Sequence, residues 1–207
     1  MAVSRRTQSE RRAATRGALL DAAIVSLVED GYANTTTRKI ADRAGVSQGT
    51  QQHYFATKHE LVVEAMRYAA EQLTADVAQR IDLRDFLNAE KQEAMLDEIW
   101  RIHQTPAFKA SLELWIAART DDELRRSMRA MERDISRIVG GTAQELVPAE
   151  HADPALFELL DAGLATIRGF AMLAPVIPQD DLDRRWRAAR GHLAGGLRAW
   201  LAHQARV

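Results

Sequence analysis

Residues 35–58 read TTTRKIADRAGVSQGTQQHYFATK, a stretch crowded with side chains that donate and accept hydrogen bonds. Chemistry of that kind is recognition rather than bond making, and the neighbouring residues say how it is presented. Thr35 or Thr36 can cap a helix whose inward side is Ile40, Ala41 and Ala44. Ala41 is small enough for two helices to cross closely there. Gly45 permits the positive φ of a tight turn, Val46 plugs the corner, and Ser47 caps the next helix. These are the physical requirements of a helix-turn-helix, whose second helix lies in the major groove of duplex DNA.

Other chemistries find little to work with. There is no cysteine, which removes disulfides, thiolate metal sites and cysteine nucleophiles together. The six histidines show no H-E-x-x-H or comparable ligand spacing. No glycine-rich phosphate loop follows a strand, because no segment reads as a strand. Glu93, Asp97 and Glu98 fall on one helix and read as a solvated acidic face. No catalytic residue, metal site or cofactor is expected, and the chain is not expected to be an enzyme.

The elements that must carry the opening stretch are all helical. Leu19, Leu20, Ala23, Ile24, Leu27 and Val28 form an apolar stripe at helical spacing, and Gly31 supplies a stop. Thr57 with Glu60 predicts a capping box that starts a long helix carrying Leu61, Ala65, Met66, Ala69, Leu73 and Val77. Further helical patterns cover about 83–104, 106–119, 121–146, 154–177 and 180–204. Their starts are signalled by Pro106, by Thr120 with Glu123, by Asp153 with Pro154, and by Asp180. Leu124, Met128, Met131, Ile135 and Ile138 form a single seam. The segment from Leu156 to Pro175 is apolar nearly all round and must be covered on two sides. Arg168 within it needs a partner: an internal carboxylate, an anionic ligand or a dimer mate.

Composition bounds the class. Hydrophobic residues make up 46% and charged residues 28% of the chain, which argues against disorder except at the ends. The arginine-bearing start has no apolar region after it, so it does not read as a signal peptide. The apolar run from Ala162 to Ile177 is broken by Arg168 and falls short of the roughly 20 residues that span a bilayer. A cytoplasmic location without membrane contact is the expectation. The formal net charge of −1 hides an asymmetry: residues 1–60 hold nine Lys/Arg against six Asp/Glu. Within residues 1–16, Arg5, Arg6, Arg11, Arg12 and Arg16 face Glu10 alone. That basic arm is either a solvated terminus or a segment that meets DNA phosphates.

From about Leu19 to Met66 the chain resembles the TetR family of transcriptional regulators: an apolar first helix ending in EDGY, then TTTRKIADRAGVSQGTQQHYFATKHELV. HYF and the following K-x-E-L are its most family-like pieces. The resemblance implies an all-α homodimer with a three-helix DNA-binding head, residues 17–60. It also implies a larger helical body, residues 61–207, that binds a small-molecule inducer and dimerises. Double-stranded operator DNA is the implied partner, and repression the implied sense of regulation. The alternative is a dimeric interaction module of the same fold that has lost DNA binding.

The family usually has an apolar residue and a tyrosine where this chain has Gln51 and Gln52. Gln51 weakens the inner face of its helix unless its amide finds a partner or points outward. Gln52 either reads adenine through N6 and N7 or is merely solvated. Arg38 is the candidate to read guanine, with Gln48, Gly49 and Thr50 on the first turn of the recognition helix. Thr36, Thr37, Lys39, Tyr54 and Lys58 are candidate phosphate anchors, as is His53 if it does not simply face solvent. Phe55 is expected in the core. Phe86, Met95, Trp100, His103, Phe108, Trp115, Met128, Met131 and Arg168 are candidates for an inducer pocket, the aromatic and Met residues among them having ordinary core as the competing reading. A two-fold interface of the last two helices, through Leu160, Leu164, Leu193, Gly195, Leu197 and Trp200, competes with burial inside one chain.

Overall fold

In the computed structural model, which describes residues 7–80, 82–146 and 154–204, the chain is helical from Gln8 onward, with no strand among those residues. The helices are α1 (Gln8–Asn34), α2 (Thr37–Arg43), α3 (Gln48–Tyr54), α4 (Lys58–Arg80), α5 (Gln92–Ile102), α6 (Pro106–Ala117), α7 (Asp122–Leu146), α8 (Pro154–Leu173) and α9 (Gln179–Gln204). A 3-10 turn, Leu83–Leu87, precedes α5. The chain divides into two compact units, Met1–Gln72 with Pro106–Glu132, and Leu73–Thr105 with Arg133–Val207.

The first unit is built on the stripe of α1. Leu19, Leu20, Ala23 and Leu27 are fully buried, together with Ile40 of α2, Leu61 and Ala65 of α4, Leu114 of α6 and Leu124 of α7. Each Leu or Ile side chain removed from water in this way contributes about 1.5–3 kcal/mol. Phe55 lies in the same core. Gly31 adopts φ 72° and breaks the helical path inside α1, and Thr35 closes the end by donating to the Gly31 carbonyl from both its N–H and its hydroxyl. Residues 8–16, read from the sequence as part of an arm, are instead the first turns of α1. Thr7 accepts from the Glu10 N–H, and the Glu10 carboxylate accepts from the Thr7 N–H, a capping box that starts the helix. Arg5 and Arg6 lie outside the described residues.

The second unit holds α5, α8 and α9. Leu156 of α8 packs with Leu197 and Trp200 of α9, while Leu182 and Trp186 are buried further along α9. Trp100 of α5 stacks on Trp186 with ring centroids 5.0 Å apart. Several boundaries differ from the periodicity. The 83–104 pattern splits at Asn88–Lys91, where Asn88 turns the chain by accepting from the Glu90 N–H. Asp121, not Thr120, caps α7 through the Leu124 N–H, because its carboxylate is the better acceptor for orphan donors. The 154–177 pattern ends at Leu173, and α9 starts after Pro178. Asp153 and the side chains of Ile135 and Ile138 lie outside the described residues.

Candidate nucleic-acid interface

Local chemistry dictates the corner between α2 and α3. Thr36 caps α2 by accepting from the Lys39 N–H at 3.2 Å, and Ser47 caps α3 by accepting from the Thr50 N–H at 3.0 Å. Gly45, at φ 69°, ends α2 in a left-handed residue. Its N–H donates to the Asp42 carbonyl, and the Val46 N–H donates to the Ala41 carbonyl. That pair of bonds is a Schellman motif, which satisfies carbonyls the short helix would otherwise leave orphaned. Ala41 is buried at the crossing, and Val46 packs against the core beneath it.

With both caps satisfied internally, the polar side chains of α3 other than Thr50 and Gln51 are free to point away. Gln48, Gly49, Gln52 and His53 are exposed, and so are Arg38, Thr36 and Lys39. Thr50 is half-buried, its hydroxyl 2.8 Å from that of Ser47. Arg38, Gln48 and Gln52 have no hydrogen-bond or ion-pair partner among the described residues. Exposed Lys39 lies 3.5 Å from half-buried Asp30. The ring of His53 meets that of half-buried Tyr54 edge-on at 5.6 Å. Thr37, the first residue of α2, is half-buried. Gln51 points inward. It is fully buried, and its amide nitrogen donates to the Phe55 carbonyl at 2.9 Å.

Lys58 is engaged at the end of α1. Its ammonium donates to the Tyr32 carbonyl at 2.8 Å and lies 4.0 Å from the centre of the Tyr32 ring. Burial pulls the Lys58 pKa down, with Asp121 acting against it. The Tyr32 hydroxyl donates to Asp121 at 3.3 Å, and burial, reinforced by that carboxylate, pushes the phenol pKa up. The Leu124 N–H holds the Asp121 pKa down. Next to Lys58, His59 lies 3.1 Å from the Ser127 hydroxyl. The sequence reading missed Tyr32 and Asp121. The only trace of them was the EDGY ending and a helix start assigned one residue early.

The inducer-pocket candidates fall into both units. Phe108, Trp115, Met128 and Met131 belong to the first, where Phe108 and Trp115 meet edge-on at 5.7 Å. Phe86, Met95, Trp100, His103 and Arg168 belong to the second. There His103 is buried, and its Nδ1 donates to the Ile99 carbonyl at 2.7 Å. Burial pushes the His103 pKa down against the opposing pull of its bond to the Ile99 carbonyl, and the Arg168 charge adds a smaller lowering. Glu93 and Asp97 are not a solvated acidic face. Asp97 accepts from Trp186 at 2.8 Å and pairs with Arg190, which also reaches Glu93 at 3.2 Å. Among the dimer candidates, Leu160, Leu164, Leu193 and Gly195 are partly exposed, whereas Leu197 and Trp200 are buried within the chain. Among the described residues, no histidine–carboxylate group is placed to hold a metal ion, and no helix is long and apolar enough to cross a membrane.

Known proteins share this organisation. A profile of bacterial regulatory proteins of the tetR family matches residues 19–65, which span α1 to the first turns of α4. The chain is 36% identical to the HTH-type transcriptional regulator CymR of Pseudomonas putida, over 65% of its own length and 66% of that protein. It is 30% identical to an uncharacterized HTH-type transcriptional regulator of Mycobacterium tuberculosis, over 87% of its own length and 92% of that protein. Among solved structures, a TetR family member from Streptomyces coelicolor superposes with TM-score 0.61 at 23% identity, covering 88% of this chain and 97% of that one. The multidrug binding protein EbrR complexed with ethidium gives TM-score 0.61 at 22% identity, covering 88% and 98%.

Proposed function

The chain belongs to the TetR family of helix-turn-helix transcriptional regulators, and we propose from that premise that it is a homodimeric cytoplasmic repressor released from its operator by a small molecule. The observation that carries the DNA reading is the outer face of α3 and α2. Gln48, Gln52 and Arg38 stand exposed there without internal partners, although both helix caps are satisfied. Side chains of this kind hydrogen-bond to base edges: Arg38 to guanine, Gln52 to adenine, with Gln48 and Thr50 at the first turn and Gly49 leaving room for close approach. Thr36, Thr37, Lys39, His53, Tyr54 and Lys58 would serve as phosphate anchors beside it. In this reading residues 17–60 are the DNA-binding domain, and residues 61–207 bind the inducer and dimerise.

Dimerisation is supported by what one chain leaves uncovered. Along α8 the exposed residues Ala162, Ala165, Gly169 and Met172 follow one another at steps of three and four. Along α9, Ala188, His192, Ala199 and Ala202 do the same, with half-buried Gly195 between them. Such faces allow close helix approach across a two-fold axis, with Leu197 and Trp200 lying beneath as the floor. EbrR is a multidrug binding protein. In this chain, residues such as Met95, Trp100 and His103 would suit an apolar effector. Selecting duplexes from a random DNA pool, with and without candidate effectors, tests the whole reading. A steep loss of retention on duplex DNA as salt rises is expected. No retention at low salt would favour the interaction module instead.

A further inference from the structure

Gln51, the one buried residue of α3, breaks the rule that interior positions are apolar. It is fully buried on the inner face of the helix, yet its amide oxygen has no hydrogen-bond partner. An apolar side chain would fill that space without leaving an acceptor stranded away from water. What the amide does make is a single directed bond, from its nitrogen to the carbonyl of Phe55 at 2.9 Å. Phe55 is the residue at which α3 ends: its backbone turns extended, φ −143° and ψ 116°, and its N–H donates to the Gln51 carbonyl. Its ring lies in the core with the Arg16 guanidinium 5.7 Å from the ring centre, and Arg16 is itself paired to Glu64 of α4. Phe55 is therefore held at its N–H, its carbonyl and its ring, two of the three by Gln51.

A seven-residue helix is too short to hold itself and takes its orientation from its ends and its inner face. We propose that Gln51 is a positioning residue for DNA reading. Its buried amide clamps the exit of the recognition helix and so sets the angle at which Gln48, Gly49, Gln52 and His53 face outward. The inference rests on the reading of α3 as the DNA-facing helix. Local rules of packing are broken most often where function requires it, and an unmatched buried oxygen serves no purpose in folding.

The test uses the full-length chain, the variants Gln51→Met and Gln51→Ala, and the duplex that the wild-type chain enriches from a random pool. Met keeps the length of the side chain and loses the donor. Gln51→Met is expected to melt near the wild-type temperature, because removing the stranded oxygen offsets the bond lost at the Phe55 carbonyl. Backbone amides of Gln52–Phe55 should exchange about tenfold faster without DNA, and duplex affinity should fall about tenfold, the scale of one lost hydrogen bond. Gln51→Ala should show the same changes with a lower melting temperature from the cavity. Unchanged exchange in Gln51→Met overturns the clamp. Faster exchange with wild-type affinity overturns its bearing on reading, and an affinity loss in Gln51→Met that follows a falling melting temperature reduces Gln51 to a structural role. A wild-type chain that enriches no duplex would sink the DNA reading itself, while the exchange measurement still decides the clamp.

Discussion

Arg38 and Gln52 differ from Lys58 in what each already holds. The first two are exposed and unengaged among the described residues, so removing either takes nothing from the fold. Arg38→Ala and Gln52→Ala should keep the melting temperature and relax the selected consensus, each losing about 1–3 kcal/mol of discrimination at one position. An unchanged consensus in both would refute the assignment. Lys58 holds the Tyr32 carbonyl and ring, so Lys58→Ala should lower stability slightly as well as weaken all duplexes alike. At the same scale, His103 sets a pH dependence. Its folded pKa lies below the ordinary 6.5, so the unfolded chain takes up a proton that the folded chain refuses. Stability is therefore fully present above that value and is lost as pH falls through 6.5 toward the lowered folded value. Urea unfolding of wild type and His103→Gln between pH 7.5 and 5 should show a slope in the first and a shallower one in the second. The Lys58 tie was not legible in the sequence, because it depends on a contact between segments far apart in the chain, which periodicity does not encode.

The elements were far more legible, for reasons particular ones make plain. Thr36, Gly45 and Ser47 act within four residues of their own position, through caps and a left-handed turn, so the α2–α3 corner could be derived from residue types alone. The start of α1 could not, because five arginines in sixteen residues mask a capping box made by Thr7 and Glu10. That box changes what the basic segment can do. Arg11 and Arg12 are presented by a helix rather than a loose tail, while Arg16 is committed to Glu64. Deleting residues 1–12 removes four arginines and the cap together. The slope of log affinity against log salt should flatten by about two to four, since each neutralised phosphate contributes roughly 0.9. The consensus should stay the same, because α3 and its caps are untouched. An unaltered slope would show these arginines to be solvated.

At the scale of the whole molecule, the proposed dimer would make operator binding a property of two chains, and α9 allows that to be tested cleanly. Gly195 and Gly196 are neighbours with opposite surroundings. A Cβ at Gly196 would meet the Leu159 side chain at 3.2 Å, so a larger residue there disturbs the α8–α9 packing within one chain. A Cβ at Gly195 meets nothing within 4 Å. Gly195→Leu should therefore fold as the wild type does, with a similar or higher melting temperature because helix propensity rises by up to about 1 kcal/mol. In a two-fold bundle of α8 and α9, however, the same leucine projects into the partner, where overpacking costs about 1–3 kcal/mol and is paid at both symmetric positions. Sedimentation at micromolar concentration should show monomers. Operator affinity should fall with them, because a single head contacts one half-site only. A folded Gly195→Leu chain that still sediments as a dimer would place the interface on another face, and the exposed small residues of α8 and α9 would then need a different explanation.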